Sequence, residues 1–473
     1  MRLRFLPLSL LAAAPLTLSA QRTLPAQFQA VVSVNAPVVA LTHVRLIDGT
    51  GAAARDDQTI VIEGELIKAV GKSGDVKVPD GAQVIDLSGH AAFPGLVGLH
   101  DHMYYSSAAG GTMKMMFYSY PRLFLAAGVT TIRTAGSTDS YRELNLKKSI
   151  DAGQSIGPDI VVTGPYLQGP VEGPGGMYPL ASPEDARRMV RYWAEEGVTW
   201  FKAYTSISRA ELGAAIDEAH KRGVKVTAHL CSVGFREAVA LGIDNLEHGL
   251  FTNSEYVAGK QPDACPAGGS SASYATLDIA SPDVQRTIQE MVKNKVAMTS
   301  TLAVFETGAP SRLERDERVL AALFPGASQA VGQFYDRGKT SNDSVFSKVF
   351  RRAMDFERAF VKAGGTLAAG SDPCCLHSIA GYSDQRNYVL LNEAGFSPEE
   401  AMRIMTLNGA TVLGKADKVG SIAAGKQADI VIVRGDPTKQ PGDIRNTVTV
   451  FRKGLGFDSA KLTASIAGMV GLR

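Results

Sequence analysis

The sequence predicts an α/β fold, a (β/α)8 TIM barrel with a small composite β-sandwich domain formed by both termini. The middle of the chain alternates short apolar segments with amphipathic helical segments, as a barrel requires. Both ends instead carry β-rich runs separated by turns. The length of 473 residues suits one large barrel and one smaller module.

Eight apolar segments are candidate barrel strands, and residues 93–414 are assigned to the barrel. Segments 183–197, 208–223 and 232–242 show the helical period and close on glycine. A Rossmann sheet is the alternative, but no GxGxxG motif follows an early strand. The predicted strands end near Leu99, Arg133, Gly164, Tyr204, His229, His248, Leu302 and Ser371.

The composite β-domain is assigned to residues 38–92 and 415–455. The first range contains the runs VVALTHVRLIDG, QTIVIEG, LIKAVG and QVIDLSG, which resemble small antiparallel strands. Similar β-rich runs occur near the other end of the chain, in GSIAAGKQADIVIVRGD and TVTVFRKG. Two similar ends around a different middle indicate one domain assembled from both.

The first 20 residues read as an export signal. Arg2 and Arg4 precede an apolar run that ends in small residues at Ala20. The alternative is a membrane anchor, but Pro7 and Pro15 interrupt the run, and it is shorter than the ~20 apolar residues of a spanning helix. We predict cleavage near Ala20, a secreted or periplasmic protein, and no stable membrane span after signal removal.

Composition narrows the class of partner. Lys and Arg total 49 against 47 for Asp and Glu, without a basic run, so we expect no nucleic-acid binding. A small-molecule or dipeptide substrate is the expected partner, and homo-oligomerisation stays open. None of the four cysteines has the CxxC spacing of a structural zinc site, and three full disulfide pairings are open. The cysteines are Cys231, Cys265, Cys374 and Cys375.

The strongest chemical signal is the segment FPGLVGLHDHMYY at the end of the first barrel strand. His100 and His102 alternate along an extended segment, so their side chains face the same side. Two imidazoles on one side of a strand end can bind one divalent metal. Active sites of barrels collect at this end of the strands.

Four further residues of metal-ligand or acid–base type follow at later strand ends. Lys202 lies in VTWFKAYT, His229 in VKVTAHLCS, His248 in GIDNLEHG and Asp372 in GTLAAGSDP. Taken singly, each has an ordinary structural explanation, such as a core histidine, a salt bridge or a turn residue. Their order along the barrel makes coincidence a poor explanation.

With these motifs the chain resembles the amidohydrolase superfamily over about residues 38–455, in its prolidase-like and imidazolonepropionase-like branch. The shared motifs are LVGLHDH, the strand-four lysine, EHG, GSDP and the terminal GSIAAGKQADIVIVRGDP. The resemblance implies that one metal binds His100, His102 and Asp372. It implies that a second binds His229 and His248, and that a carboxylated Lys202 bridges the two.

The implied cofactor is zinc, as one or two divalent ions with two favoured. A carbamate has the two anionic oxygens that an ammonium group lacks, and a pair of metals ~3.5–4 Å apart can hold a hydroxide and polarise a carbonyl. Asp372 is the catalytic candidate, which would take the proton of the attacking water and pass it to the leaving nitrogen. The chain departs from the family at strand five, where AHLCS replaces HAHG, and after Arg133, where an acidic residue is absent.

Substrate contacts are less specific. Tyr204 shares the strand side of Lys202 and could donate to an oxyanion or a substrate carboxylate, or be a rim aromatic. Arg133 could bind a carboxylate in bidentate fashion, or form a structural ion pair. Tyr104, Tyr105 and the run MKMMFYSYP could line a pocket or pack as the first helix.

We therefore expect a metal-dependent hydrolase of C–N bonds, acting on N-acyl amino acids or Xaa-Pro-type dipeptides. The alternative within the superfamily is a mononuclear cyclic-amide hydrolase or a deaminase, although AHLCS lacks the glutamate usual in deaminases. A barrel that only binds ligands is a third possibility, and a full set of metal-site residues argues against it. The Gly- and Ser-rich residues 253–282 are either a lid or an insertion without a role.

Overall fold

The computed structural model describes residues 21–106, 113–170, 177–266 and 271–472. The predicted signal peptide, residues 1–20, lies outside these ranges. The strands are β1 (Val32–Val34), β2 (Val38–Leu46), β3 (Arg55–Glu63), β4 (Leu66–Lys72), β5 (Gln83–Asp86), β6 (His90–Pro94), β7 (Leu96–Asp101), β8 (Tyr104–Tyr105), β9 (Lys114–Met115), β10 (Val129–Thr134), β11 (Asp159–Val161), β12 (Trp200–Ala203), β13 (Lys225–Ala228), β14 (Asn245–Glu247), β15 (Ala297–Ser300), β16 (Leu367–Ala369), β17 (Ile430–Arg434), β18 (Thr447–Arg452) and β19 (Leu455–Asp458).

The helices fall mainly between the strands of the middle region. They are α1 (Ala26–Gln29), α2 (Ser119–Ala126), α3 (Ser140–Asp151), α4 (Pro183–Glu195), α5 (Arg209–Lys221), α6 (Phe235–Ala240), α7 (Ser271–Tyr274), α8 (Pro282–Lys293), α9 (Leu302–Phe305), α10 (Glu317–Ala322), α11 (Pro325–Gly338), α12 (Ser344–Lys362), α13 (Tyr382–Ala394), α14 (Pro398–Arg403), α15 (Gly409–Val412) and α16 (Ser459–Ala464). A π-helical turn over Ile404–Asn408 connects α14 to α15. Among the described residues, no helix has both the length and the apolar character to cross a membrane.

The middle strands form two parallel sheets. One has the order β11-β10-β7, and the other runs β12-β13-β14-β15-β16. A parallel bridge between Thr163 and Trp200 connects the segment after β11 to β12. At the other side, the backbone N–H of Asp372, just past β16, donates to the carbonyl of His100 on β7 (2.8 Å).

The sequence explains these strands. All six residues of β7 are buried, as expected for parallel strands covered on both faces, which read as continuous apolar runs. Each of the eight parallel strands ends within three residues of its predicted end. Gly370 permits the contact between β16 and β7, because a Cβ there would lie 2.3 Å from the His100 nitrogen. Parallel strands share one direction, so their carboxyl ends, which carry the candidate residues, meet at one end of the fold.

Both ends of the chain contribute to one further sheet. Within the described ranges it has nine strands, in the order β1-β19-β18-β17-β6-β2-β3-β4, with β5 paired to β2. It extends past the predicted boundaries at both ends, because β1 pairs antiparallel with β19. The composite origin is therefore visible in the topology. The predicted sandwich and the predicted domain boundaries stay predictions.

Candidate metal centre

The two histidines of the first barrel strand lie at its carboxyl end, His100 within β7 and His102 one residue past it. His100 is 0% and His102 is 2% exposed. Both rings face Asp372: His102 Nε2 lies 3.0 Å from Asp372 Oδ1, and His100 Nε2 lies 3.6 Å from Asp372 Oδ2. The alternation of a strand thus places both imidazoles on the side that the sequence predicts.

Two residues of the cluster have left-handed backbone conformations. Asp372 has φ 49° and His248 has φ 67°. His248 directly follows β14, and Asp372 lies three residues past the end of β16. The N–H of His248 donates to the carbonyl of Thr299 (2.9 Å). Non-glycine residues rarely adopt this conformation, and such positions cluster at functional sites, where the surrounding structure holds them in place.

The remaining predicted ligands lie in the same cluster. Ligand atoms of His100, His248 and Asp372 all lie within 4.8 Å of one another. The His248 ring centroid lies 4.3 Å from that of His100 and 4.5 Å from that of His229. The structure therefore brings the four predicted histidines and the aspartate together at the carboxyl end of the parallel strands.

Burial sets the protonation states of these groups. It lowers the pKa of His102 to about 4 and that of His229 to about 3, and it lowers the pKa of His100 and His248 in the same direction. Burial alone would raise the pKa of Asp372, but His100 and His102 hold it well below its usual value. At neutral pH the site thus offers neutral imidazoles and a carboxylate, the forms that bind metal ions.

Lys202 stands inside the cluster. It is the penultimate residue of β12 and is 1% exposed. Its Nζ lies 2.9 Å from His100 Nε2. Burial lowers the pKa of Lys202 to about 8, with Arg133 acting in the same direction and the carboxylates of Glu247 and Asp372 opposing. A neutral amine is therefore accessible near neutral pH, as the addition of carbon dioxide requires.

The donor atoms fit a divalent cation. His248 Nδ1 shares a hydrogen bond with Thr301 Oγ1 (2.6 Å), and its Nε2 is buried without a hydrogen-bond partner among the described residues. That Nε2 lies 4.0 Å from Asp372 Oδ2, so a cation between them would satisfy both. Imidazole nitrogens with a carboxylate oxygen form a donor set that suits zinc.

Glu247 is a buried member of the site to which the sequence analysis gave no role. Its carboxylate accepts from His100 Nδ1 (2.8 Å) and Asn245 Nδ2 (3.1 Å), and also from Thr227 and Arg133. Burial would raise the pKa of Glu247, but Arg133 and His100 lower it below its usual value. A carboxylate on Nδ1 fixes the tautomer that leaves Nε2 free for a metal. The acid beside His248 in the EHG motif was the available sequence signal.

Arg133 lies beneath the cluster. It is 0% exposed, pairs with Glu247, and its guanidinium lies 4.5 Å from the centroid of the Trp200 ring. The structure thus shows the ion pair that was one of its two predicted roles. Its predicted contact with a substrate carboxylate stays a prediction, and no part of its side chain is exposed to a ligand.

Tyrosines stand beside the histidines. The Tyr204 ring lies 4.9 Å from that of His229, and burial raises the pKa of Tyr204 to about 12, so its hydroxyl keeps its proton and can donate. The Tyr104 ring stacks on His102 (4.5 Å), and its hydroxyl lies 3.2 Å from that of Tyr166, a residue not singled out in the sequence. Of the run MKMMFYSYP, the last residues belong to α2, whose residues are all buried.

Part of the predicted 253–282 loop is held against the neighbouring strand ends. Residues 267–270 lie outside the described ranges. A disulfide joins Cys231 to Cys265, Lys260 Nζ donates to the carbonyl of Ser232 (2.7 Å), and Asp263 pairs with Arg209 (3.0 Å). The second disulfide joins the adjacent cysteines after Asp372, which selects one of the three open pairings. A substrate-contacting role for the loop stays a prediction.

Known proteins resemble this chain in sequence. It is 27% identical to an imidazolonepropionase of Bacteroides thetaiotaomicron over 147 residues, 31% of each chain. It is 35% identical to an S-triazine hydrolase of Gordonia rubripertincta over 112 residues, 22% of this chain and 24% of that protein. The chain therefore spans less than a third of the length of these curated relatives in the matched segments.

Solved structures match far more of the chain. A proposed prolidase from Bifidobacterium longum has a TM-score of 0.66 at 25% identity, covering 89% of this chain and 94% of that one. A Xaa-Pro dipeptidase with bound methionine has a TM-score of 0.67 at 21% identity, covering 89% and 100%. These likenesses give the chain a TIM-barrel-type α/β fold. Residues 91–455, most of the chain, match the Amidohydrolase family, so the protein belongs to the amidohydrolase family.

Proposed function

We propose that the protein is a dinuclear metal-dependent hydrolase of amide or peptide-like C–N bonds. One observation carries the proposal: a buried lysine with an accessible neutral amine lies 2.9 Å from His100 Nε2, in the centre of a histidine and aspartate cluster. In a site that only binds an organic ligand, such a group of buried polar atoms without a cation would be costly.

We assign His100, His102 and Asp372 to one ion and His229 and His248 to the other, with zinc as the favoured metal. When bound, the ions would polarise a carbonyl oxygen and lower the pKa of a water molecule. The His100 Nε2 atom accepts from Lys202 in this structure, so it can bind a cation only after Lys202 moves or is modified.

Carboxylation of Lys202 supplies that modification. The neutral amine forms an N–C bond to carbon dioxide and releases a proton, which converts a cationic side chain into an anionic carbamate. The carbamate has two oxygens, so it can bridge two cations where an ammonium group would repel them. The shielded end of β12 favours the neutral amine that starts this reaction.

Asp372 moves the proton in this scheme. Its carboxylate is ionised at neutral pH and faces the shared space between the histidines, so it can accept a proton from the attacking water. It then delivers the proton to the leaving nitrogen, because an amide nitrogen departs poorly as an anion. Tyr204 would donate to the developing oxyanion or to a substrate carboxylate.

N-acyl amino acids and Xaa-Pro-type dipeptides are the proposed substrates. Support comes from the structural likeness to proteins named Xaa-Pro dipeptidase and prolidase. The second candidate is a mononuclear cyclic-amide hydrolase or deaminase, which the sequence similarity to imidazolonepropionase and S-triazine hydrolase favours. We also propose export by residues 1–20 and a substrate-contacting role for residues 253–282.

Two measurements on the purified protein test this function. Elemental analysis is expected to find one to two divalent ions per chain, and a panel of N-acyl amino acids, Xaa-Pro dipeptides and cyclic amides is expected to give turnover on the first two classes. Active protein without metal would overturn the mechanism. Turnover confined to cyclic amides, with no carbamate signal in ¹³C NMR of the folded protein equilibrated with ¹³C-bicarbonate, would favour the second candidate.

A further inference from the structure

A second cavity lies between α10, α11 and α13, beside the 3-10 helical turn Pro441–Arg445. The space, together with its open mouth, measures about 450 Å³. The residues of the metal centre do not line it. It is therefore a separate space at the same end of the fold.

The inner end of the cavity presents a buried imidazole. His377 is 8% exposed, and neither of its ring nitrogens has a hydrogen bond of good geometry among the described residues, although the ring lies near the Ala303 backbone. Its ring is flanked by Phe334 (6.1 Å) and Tyr335 (6.0 Å). Buried polar groups are nearly always hydrogen-bonded, so a missing partner on both nitrogens points to a ligand or to water.

Arg386 lies beside His377 at this inner end. Its Nε and Nη2 form a bidentate pair with the buried carboxylate of Glu306 (2.8 and 2.7 Å), so Nη1 is the guanidinium nitrogen outside the pair. Burial, and then the charge of Arg386, lower the pKa of His377 to about 4, against a backbone contact at Ala303. At neutral pH the imidazole thus offers one N–H donor, next to a fixed cation.

The mouth and the wall have a different character. Glu314 pairs with Arg445 at 3.3 Å, and the Glu314 side chain is 65% exposed, so a second cation can also reach this carboxylate from solvent. Leu313 and Val319 supply apolar surface between the mouth and the inner end. A ligand with an anionic end, a cationic end and an apolar side chain matches the three regions in order.

We propose that this cavity is a second binding site that takes a free α-amino acid with an apolar side chain as its zwitterion. The carboxylate faces His377 and Arg386, the ammonium faces Glu314, and the side chain lies against Leu313 and Val319. The loop that contains His377 is also linked to the metal centre, because Ser378 Oγ donates to the carbonyl of Asp372 (3.2 Å). An amino acid in the cavity therefore contacts the loop that positions Asp372.

Equilibrium dialysis of metal-loaded protein with radiolabelled L-leucine tests the proposal. Wild type is expected to bind leucine saturably, and His377→Phe, which removes both ring nitrogens, is expected to weaken binding by about tenfold or more. His90→Gln is the matched control, since His90 lies on β6 of the nine-stranded sheet, and it should bind as wild type. In the Asp372→Asn variant, which should not turn over N-acyl amino acids, N-acetyl-leucine and leucinamide each lack one charge and should compete poorly.

The Asp372→Asn variant distinguishes leucine binding in this cavity from binding at the metal centre, and it should retain leucine binding. If thermal unfolding shows that His377→Phe is unstable, Glu314→Gln at the exposed mouth tests the proposal instead, and it should weaken leucine binding. Absence of saturable binding to wild type would overturn the proposal. So would binding that His377→Phe and Glu314→Gln leave unchanged, or binding that Asp372→Asn abolishes, which would place the leucine at the metal centre.

Discussion

Glu247→Gln is the substitution that best tests how the buried charges support the site. Glu247 is 0% exposed and accepts hydrogen bonds from four groups, including His100 Nδ1 and Arg133. The change keeps the shape but removes the charge and one acceptor oxygen. Arg133, also 0% exposed, then lies buried without a counter-ion. Breaking a buried pair in this way costs about 3–5 kcal/mol in the free energy of unfolding.

The same substitution should weaken metal binding by a separate route. With an amide NH2 opposite Nδ1, His100 favours the tautomer that places its proton on Nε2, the metal-binding atom. Loss of such a partner typically lowers metal affinity about 10–100-fold, or ~1.4–2.7 kcal/mol. Urea unfolding measures the first effect, and zinc titration against a competing chelator measures the second.

The double variant Arg133→Met with Glu247→Gln separates the two effects. It removes the unpaired cation, so it should recover most of the stability, whereas the zinc affinity should stay low because His100 still lacks its carboxylate. Glu357→Gln is the matched control. Glu357 is 2% exposed and bonded to Ser300, and burial raises its pKa to about 8, so the protein contains its neutral form at pH 7. Wild-type zinc affinity in Glu247→Gln, or a double variant no more stable than the single one, would refute the reasoning.

Three further outcomes are expected. Lys202→Ala should lower metal occupancy and nearly abolish turnover, with partial rescue by a short carboxylic acid, and a fully active variant would contradict a bridging lysine. Asp372→Asn should lower kcat by ~10²–10⁴-fold, because the variant loses its general acid and base. Metal content is measured in parallel, and an unchanged kcat would show that Asp372 does not transfer the proton. Burial also raises the pKa of Glu143 to about 8 from 4.5. Between these pH values the folded state binds more protons than the unfolded state, so the free energy of unfolding should fall as pH rises from about 5 to 8. Urea unfolding at several pH values measures this dependence, and Glu143→Gln should flatten it.

Local pattern was enough to predict the residues at the strand ends. His100 and His102 are two residues apart, so strand geometry alone places them on one side. Lys202, His229 and His248 each lie at or just past the end of a parallel strand, and parallel strands bring these ends together whatever the helices between them contain. The prediction needed only the order of strands.

Pairings between distant segments were beyond such reasoning. Arg133 and Glu247 are 114 residues apart, and nothing local to either residue shows that the two side chains meet beneath the histidines. The sequence left Arg133 open between an ion pair and a substrate contact for this reason. The extension of the nine-stranded sheet to Val32 has the same origin, since β1 gains its partner only from β19 at the other end of the chain.

The charges of the site give a physical link between lysine carboxylation and the proposed substrates. With neutral imidazoles, the charges of the site are those of Arg133 and Lys202 (+1 each) against those of Glu247 and Asp372 (−1 each), a total of zero. Carboxylation of Lys202 changes this total by −2, which offsets the +2 of one divalent ion. A second ion would leave an excess of +2, or +1 once a shared hydroxide is counted, in a buried site, where unbalanced charge is costly. An anionic substrate would reduce that excess, so a dinuclear site would favour substrates with a free carboxylate, such as N-acyl amino acids and dipeptides, over neutral cyclic amides.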